Sequence, residues 1–322
     1  MPDSAPVERP IKVGISTCLL GQKVRFDAGH KHDRYITDVL GGYFRFVPVC
    51  PELEVGMGVP RESVRLEGAP DAPRLVGTRS GADWTERMNR YARERTARPD
   101  LADISGYILK KDSPSCGLER VKVYPPSGMA ERKGTGLFAA ALRQRFPLLP
   151  IEEEGRLNDH RLRENFIVRV FAYDRLQTLF RERFSRGRLV AFHTAHKYLL
   201  MAHSPKHYAE LGRLVAAVSR HSPAAMREQY RRLFMEALAV PTTTRKNVNV
   251  LQHLLGYLKH RLGPEEKQDI LNVIADYHRE LIPLVVPLTL LRHYVDKHRI
   301  AYIQDQVYLN PHPKELMLRN HV

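Results

Sequence analysis

The sequence predicts an α/β N-terminal domain with a layered, mostly parallel sheet, followed by an all-α C-terminal domain. The chain has 322 residues, about twice the size of a common domain. Strand-like and helix-like segments alternate up to about residue 155, and only helical patterns follow. We therefore expect one domain over residues 1–155 and a second over residues 156–322.

Short apolar runs in the first domain predict five strands, over residues 11–16, 43–49, 104–109, 121–124 and 146–151. Helical patterns lie between them, over residues 32–40, 83–98 and 137–145. Asp83 is the expected N-cap of the second helix, with Glu86 completing a capping box. Strands that alternate with helices are typical of a parallel sheet covered by helices.

Helical spacing of apolar residues predicts seven helices in the second domain, over residues 159–184, 189–202, 206–219, 224–239, 245–262, 265–281 and 288–299. Asn158 or Asp159 is the expected N-cap of the first of these helices. Pro264, followed by Glu265, marks the start of the sixth. No internal repeat or low-complexity linker separates the domains.

The net charge of +15 is concentrated in the second domain. Residues 1–155 carry 24 Lys and Arg against 21 Asp and Glu, whereas residues 156–322 carry 27 against 15, a net charge of +12. Such an excess is typical of a solvated basic face or of a surface that binds a polyanion. No apolar run is long enough to span a membrane, and the N-terminus lacks a signal-peptide pattern, so we expect no membrane contact and a cytoplasmic location.

The three cysteines, Cys18, Cys50 and Cys116, each follow a predicted strand of the first domain. The carboxyl ends of parallel strands meet at one edge of a sheet, so the three thiols are expected to converge there. They could also be three unrelated buried residues. Three cysteines without a CxxC pair do not match structural zinc, whereas three thiolates on an iron–sulfur cluster would leave one iron open to a soft ligand such as sulfur.

Three cysteine-containing motifs resemble those of the thiouracil desulfidase family. They are STCLLG at residues 16–21, VCPE at 49–52 and SPSCG at 113–117, and VPR at 59–61 adds to them. This resemblance covers roughly residues 10–155. The remainder, including residues 189–208 and 245–257, resembles the helical domain of two-domain relatives described as tRNA 4-thiouridine desulfidases.

The resemblance implies a [4Fe-4S] cluster held by Cys18, Cys50 and Cys116, with the fourth iron binding the substrate sulfur. It also implies that Glu52 and Ser113 are catalytic. In that interpretation Glu52 is the general base that activates water, and Ser113 forms a hydrogen bond to the substrate ring or relays a proton. Sulfur leaves as sulfide without any electron being consumed. Glu54 is close enough in sequence to compete for the role of base.

We therefore expect a desulfidase that converts 4-thiouridine in tRNA to uridine, with the thiolated tRNA bound by the helical domain. The candidate RNA-binding residues are Arg245, Lys246, His196 and Lys197. One alternative is a desulfidase of free thiouracil or thionucleosides. Another is an iron–sulfur RNA-binding or sensor protein without activity, although such a protein would need neither Glu52 nor Ser113.

Two other patterns predict little. Gly134-Thr135-Gly136 loosely matches a dinucleotide-binding loop, but about ten residues separate it from the preceding strand. The histidines around His193 and His196 lack the acidic residue of an HExxH zinc motif. We expect neither a nicotinamide or flavin site nor a histidine metal site.

Overall fold

The computed structural model describes residues 10–126, 128–181 and 183–321. The chain divides into two compact units, of which the first ends at Asn158 and the second begins at Asp159. The first unit contains a parallel sheet with helices, and the second is all helical in its described residues. The predicted fold class is therefore confirmed for both parts of the chain.

The first unit contains eight strands: β1 (Ile11–Ser16), β2 (Phe44–Val49), β3 (Val64–Ala69), β4 (Ala72–Gly77), β5 (Gly106–Leu109), β6 (Val121–Tyr124), β7 (Glu131–Gly134) and β8 (Ile151–Glu153). Strands β2, β1, β5 and β8 form, in that order, a four-stranded sheet in which every pair is parallel. The central strands are buried on both faces: every residue of β5 is buried, and so is every residue of β1 except Lys12.

The other four strands form a second sheet that the sequence did not predict, in the order β4, β3, β6, β7. Strands β3 and β4 are an antiparallel hairpin, β3 pairs in parallel with β6, and β6 pairs antiparallel with β7. The predicted strand over residues 121–124 is therefore correct, but it lies outside the parallel sheet. The expected strand over residues 146–151 begins only at Ile151, where β8 starts.

The helices of the first unit are α1 (Pro51–Glu54), α2 (Thr85–Thr96), α3 (Pro99–Ala102) and α4 (Leu137–Arg145). The expected capping box of α2 does not form, because Trp84 is the N-cap. The Asp83 carboxylate instead accepts hydrogen bonds from the Thr85 hydroxyl and from the Thr85 backbone N–H, the latter at 2.9 Å, and both lower the pKa of Asp83. The predicted helix over residues 32–40 is a short π-helical turn, Tyr35–Val39, followed by a 3₁₀ turn.

The close contact between β1 and β5 depends on a glycine. A Cβ atom on Gly14 would lie 2.2 Å from the Tyr107 ring, which is fully buried. We expect Gly14→Ala to lower the free energy of unfolding by about 1–3 kcal/mol through overpacking. The exposed Gly42 has no atom within 4 Å of the same position, so Gly42→Ala is the matched control. Thermal unfolding of both variants checks this, and equal melting temperatures would contradict it.

The second unit contains α5 (His160–Arg181), α6 (Arg186–His203), α7 (Pro205–Ala216), α8 (Pro223–Ala239), α9 (Thr244–Leu258), α10 (Pro264–His278), α11 (Val285–Lys297) and α12 (Ala301–Gln304). The first seven match the predicted helices, with ends that differ by a few residues, and the short α12 was not predicted. Asp159 caps α5, because its carboxylate accepts the backbone N–H groups of Leu162 at 3.0 Å and Arg161 at 2.9 Å. No helix among the described residues is long and apolar enough to cross a membrane.

Candidate functional site

A cavity of about 320 Å³ lies at the carboxyl edge of the parallel sheet and is lined by Cys18, Cys50 and Cys116. Cys18 follows β1, Cys50 follows β2, and Cys116 lies in the loop after β5. Glu52 and Ser113 line the same cavity. The structure thus brings together the five residues that the sequence proposed as one site.

All three cysteines are free thiols, with Cys18 and Cys116 buried and Cys50 half-buried. Burial raises the pKa of Cys18 to about 11, and the neighbouring Cys50 adds to this rise. Burial also raises the pKa of Cys50 and of Cys116. Lys110 and Arg25 act in the opposite direction on Cys18. A cationic metal centre would supply the missing positive charge and displace the thiol protons.

The donor set fits an iron–sulfur cluster better than a single metal ion. Among the described residues, no three His, Cys, Asp or Glu side chains are grouped closely enough to hold one ion. In a cubane cluster each thiolate binds a different iron, so its cysteine ligands are spaced around the cluster instead of meeting at one point. Three soft sulfur donors in the wall of one cavity are the ligand type that such a cluster takes.

Glu52 is held in the cavity wall by Arg61. Its Oε2 accepts Arg61 Nη2–H at 2.5 Å and Nε–H at 3.2 Å, and both side chains are largely buried. Arg61 Nη1 also donates to the carbonyl oxygens of Val24 at 3.0 Å and Gly58 at 2.9 Å. Because the guanidinium is fixed by backbone groups, it fixes the direction of the Glu52 carboxylate.

The second carboxylate oxygen of Glu52 faces two serines of the SPSCG motif. Ser115, which is fully buried, donates its hydroxyl to Glu52 Oε1 at 3.0 Å, and Ser113 Oγ lies 3.5 Å from the same oxygen. Ser113 Oγ also accepts the backbone N–H groups of Cys116 at 3.0 Å and Ser115 at 3.2 Å. Ser113 therefore shapes the loop that carries Cys116, and Ser115 is a site residue that the sequence analysis missed.

Glu54 points away from this cavity and is not among its lining residues. Its Oε1 accepts the backbone N–H of Cys50 at 3.0 Å. Its Oε2 accepts the hydroxyl of Tyr91 at 2.8 Å and Arg95 Nε–H at 3.2 Å. Of the two carboxylates considered from the sequence, only Glu52 can face a molecule bound in the cavity.

The loop that carries Cys116 is packed against the N-terminus of α4. The backbone N–H groups of Leu137 and Phe138 donate to the carbonyl oxygens of Pro114 at 3.2 Å and Ser115 at 3.0 Å. A Cβ atom on Gly136 would lie 2.5 Å from the Ser115 carbonyl group. These N–H groups therefore stabilise the SPSCG loop, so the glycine-rich turn serves the cysteine site and not a phosphate.

The four candidate RNA-binding residues lie in very different environments. His196 is 2% exposed and donates Nδ1–H to the Phe192 carbonyl at 2.7 Å, and burial lowers the pKa of His196 to about 3. Lys246 Nζ donates to the carbonyl oxygens of His203 at 2.8 Å and Pro241 at 3.1 Å. His196 therefore has almost no exposed surface that RNA could contact. Lys246 connects the end of α6 to the residues before α9.

The other two candidates are more accessible. Arg245 is exposed, and its side chain has no hydrogen-bond or ion-pair partner among the described residues. Lys197 Nζ lies 5.3 Å from the ring centre of Tyr198 and 5.8 Å from that of Tyr302, and Tyr302 stacks on Tyr257. Tyr257 and Tyr302 are both 41% exposed. Arg245 and Lys197 therefore remain candidates for RNA contact.

The fold and the cavity define an α/β unit with a three-cysteine site, joined to a helical unit. Residues 13–154 match the family model of 2-thiouracil desulfurase, and residues 197–313 match that of a protein of unknown function, DUF1722. The chain belongs to the 2-thiouracil desulfurase family, whose model its first unit matches.

Two relatives and one solved structure are similar to parts of the chain. The uncharacterized protein YbgA of Escherichia coli K12 is 30% identical over 165 residues, which is 51% of this chain and 98% of YbgA. The uncharacterized protein YbbK of Bacillus subtilis 168 is 33% identical over 135 residues, 40% of this chain and 88% of YbbK. The structure of the [4Fe-4S]-dependent thiouracil desulfidase TudS shows 32% identity and a TM-score of 0.39, covering 46% of this chain and 94% of TudS.

Proposed function

We propose that the first unit is a desulfidase that removes sulfur from the thiocarbonyl group of a nucleobase. The observation that carries this proposal is that three free cysteines and Glu52 line one cavity in the unit that matches the 2-thiouracil desulfurase model. Cys18, Cys50 and Cys116 are the ligands that would hold a [4Fe-4S] cluster. An iron–sulfur sensor would not need a carboxylate fixed beside its ligands, so this alternative is disfavoured.

The cluster, when bound, supplies an open iron with affinity for the soft sulfur of the substrate. Glu52 Oε1 accepts a proton from water, and the water oxygen forms a bond to the carbon that carries sulfur. As the C–S bond breaks, its electron pair leaves with the sulfur. Thiocarbonyl plus water thus gives carbonyl plus hydrogen sulfide, and no external electron is needed. Arg61 and Ser115 act by holding Glu52 in position.

We infer that the substrate is 4-thiouridine in tRNA. The cysteines lie in the wall of a cavity of only about 320 Å³, which is too small to admit a base together with its stacked neighbours, so a thiobase has to be extruded to reach them. The net charge of +12 on residues 156–322 would supply phosphate contacts that offset part of that cost. Reduced thiols and tRNA are both found in the cytoplasm, where we propose that the protein acts.

The test is to incubate the anaerobically reconstituted full-length protein with tRNA that contains 4-thiouridine and, separately, with free 4-thiouracil. Mass spectrometry of the digested nucleosides follows the conversion to uridine, and a sulfide assay follows the sulfur. We expect equal amounts of uridine and sulfide from tRNA without added reductant. Turnover of the free base alone would support the second candidate, a desulfidase of free thiobases, which the small cavity also favours. Turnover of neither substrate would contradict the proposed activity.

The charge of the second unit predicts that tRNA binding depends strongly on salt. Each neutralised phosphate releases a counterion, so the affinity should fall about 10³-fold or more between roughly 50 and 200 mM salt if six or more phosphates are contacted. Turnover of free 4-thiouracil should barely change over the same range, because an uncharged base releases no counterions. Filter binding and single-turnover assays at matched salt concentrations measure the two effects. Salt-independent tRNA binding would show that the helical unit is not an electrostatic RNA-binding surface.

A further inference from the structure

The helical unit contains a second cavity, of about 620 Å³, that the proposed desulfidation does not use. It lies among the start of α5, the ends of α6 and α10, the start of α9 and the C-terminal segment up to His321. Its volume falls within the range of small-molecule binding sites, roughly 300–1,000 Å³. We call it the helical cavity.

The floor of the helical cavity is a buried polar network. Asn247, which is 4% exposed, donates Nδ2–H to the Tyr277 hydroxyl at 3.1 Å and accepts the Tyr308 hydroxyl at 3.0 Å. Arg319 donates Nε–H to Glu164 Oε1 at 3.0 Å and Nη1–H to the Tyr308 carbonyl at 2.7 Å. Buried polar groups are costly unless satisfied, and satisfied networks are rigid. This one fixes two tyrosines and an arginine in the wall of an open space.

His203 is a buried side chain in the lining of the helical cavity. It is 2% exposed, lines the cavity, and donates Nδ1–H to the Val240 carbonyl at 2.8 Å. Burial lowers the pKa of His203 to about 4, so the ring is neutral and Nε2 carries a lone pair. Nε2 has no partner among the described residues. A ligand with an N–H group would satisfy it.

Two exposed arginines lie at the mouth of the helical cavity. Arg161 and Arg245 line it, both are exposed, and neither side chain is paired within the described part of the chain. Of the three carboxylates in the lining, Glu164 is paired with Arg319. Glu280 accepts the Thr244 hydroxyl at 3.0 Å, and Asp159 accepts backbone N–H groups as the N-cap of α5; both keep their negative charge but use part of their hydrogen-bonding capacity within the protein. The start of α9 adds the partial positive charge of a helix N-terminus.

We propose that the helical cavity binds a nucleotide, with the phosphate at Arg161 and Arg245 and an N–H of the base at His203 Nε2. Leu199, Leu284 and Val168 form apolar walls that suit a flat heteroaromatic ring better than a sugar phosphate. The nucleotide is either free or part of a bound RNA. That the nucleotide belongs to a bound RNA rests on the proposed function of the chain. The existence of a nucleotide site does not.

The test is calorimetric titration of the full-length protein with uridine 5′-monophosphate, uridine and inorganic phosphate. We expect the nucleotide to bind about tenfold or more tightly than either fragment. Arg161→Gln with Arg245→Gln should weaken nucleotide binding about tenfold or more. The matched control is Arg213→Gln with Arg220→Gln, which removes two exposed arginines outside the cavity and should change nothing.

His203→Asn tests the floor of the helical cavity. The asparagine amide can still donate to the Val240 carbonyl in place of Nδ1–H, but it removes the Nε2 acceptor. We expect weaker binding of the nucleotide and unchanged binding of phosphate, with thermal unfolding confirming that the variant is folded. The proposal is overturned if the nucleotide does not bind, if phosphate alone binds as tightly, or if the cavity arginine pair behaves like its control.

Competition between the mononucleotide and tRNA shows whether the natural ligand is a free nucleotide or a nucleotide of a bound RNA. Displacement of the mononucleotide by tRNA identifies an RNA nucleotide as the ligand, and persistence of binding in saturating tRNA identifies a free nucleotide; both results support the site. If the protein binds the nucleotide but releases no sulfide from either thiolated substrate, the desulfidase proposal is wrong and the proposed nucleotide site stands.

Discussion

Replacing any one of Cys18, Cys50 and Cys116 with alanine is expected to remove most of the iron and all measurable desulfidation. The reconstituted wild-type chain should contain about four irons, as one cubane cluster requires. Alanine offers no donor atom, so the cluster would be left with two thiolate ligands. Iron analysis and the visible absorption spectrum of anaerobic protein measure this before any assay of turnover.

The matched control for the cysteine variants is Thr17→Val. Thr17 is buried, lines the same cavity and is adjacent to Cys18, but it has no proposed role as a ligand. This variant should keep its iron. A wild-type protein that takes up stoichiometric zinc and no iron, or single cysteine variants that retain four irons, would contradict the assignment of the ligands.

The convergence of the three cysteines could be predicted because it depends on the backbone topology alone. Strands β1 and β5 are mostly buried, strand β2 is rich in apolar residues although only its two end residues are buried, and parallel strands place their carboxyl ends at a common edge. The helices of the second unit could be predicted for a similar reason, since their apolar residues recur at helical spacing. Both inferences use patterns that are local in the chain.

The second sheet could not be predicted because its strands carry few apolar residues. Strand β7 has the sequence ERKG, and β3 has only Leu66 as a fully buried side chain. The burial of Leu66 depends on a cluster with Leu75, Met88 and Val121, which are distant in sequence. No local pattern encodes such packing.

The roles of individual side chains in the site could not be predicted either, because they depend on contacts between residues that are distant in sequence. Ser115 lies beside a proline, where a serine is ordinarily a turn residue, and only the fold shows its hydroxyl against Glu52. Lys246 belongs to a basic stretch that suggested RNA contact, yet its ammonium binds two carbonyl oxygens. In both cases the partner, and not the residue type, determines the role of the side chain.

Glu52→Gln is expected to retain the cluster and to lower desulfidation by about 100-fold or more, the usual contribution of a general base. Glutamine has nearly the same shape: its amide oxygen can accept from Arg61 in place of Oε2, and its amide N–H can donate to the Ser115 hydroxyl in place of Oε1. Its amide cannot take a proton from water at neutral pH. Iron content and the visible spectrum should therefore match those of the wild type. Single-turnover rates with 4-thiouridine tRNA and with free 4-thiouracil should fall together, because both substrates need the same proton transfer.

Glu54→Gln is the matched control. Glu54 belongs to the same short helix α1 as Glu52, but its carboxylate lies outside the cavity. Glu54 binds Tyr91, Arg95 and the Cys50 backbone, so this change should lower the free energy of unfolding by about 1–3 kcal/mol while turnover stays near that of the wild type. The opposite pattern, with normal turnover in Glu52→Gln and lost turnover in Glu54→Gln at full iron content, would exclude Glu52 as the base. The ion pair with Arg61 would then have a structural role only, holding the loop of residues 59–61 against α1.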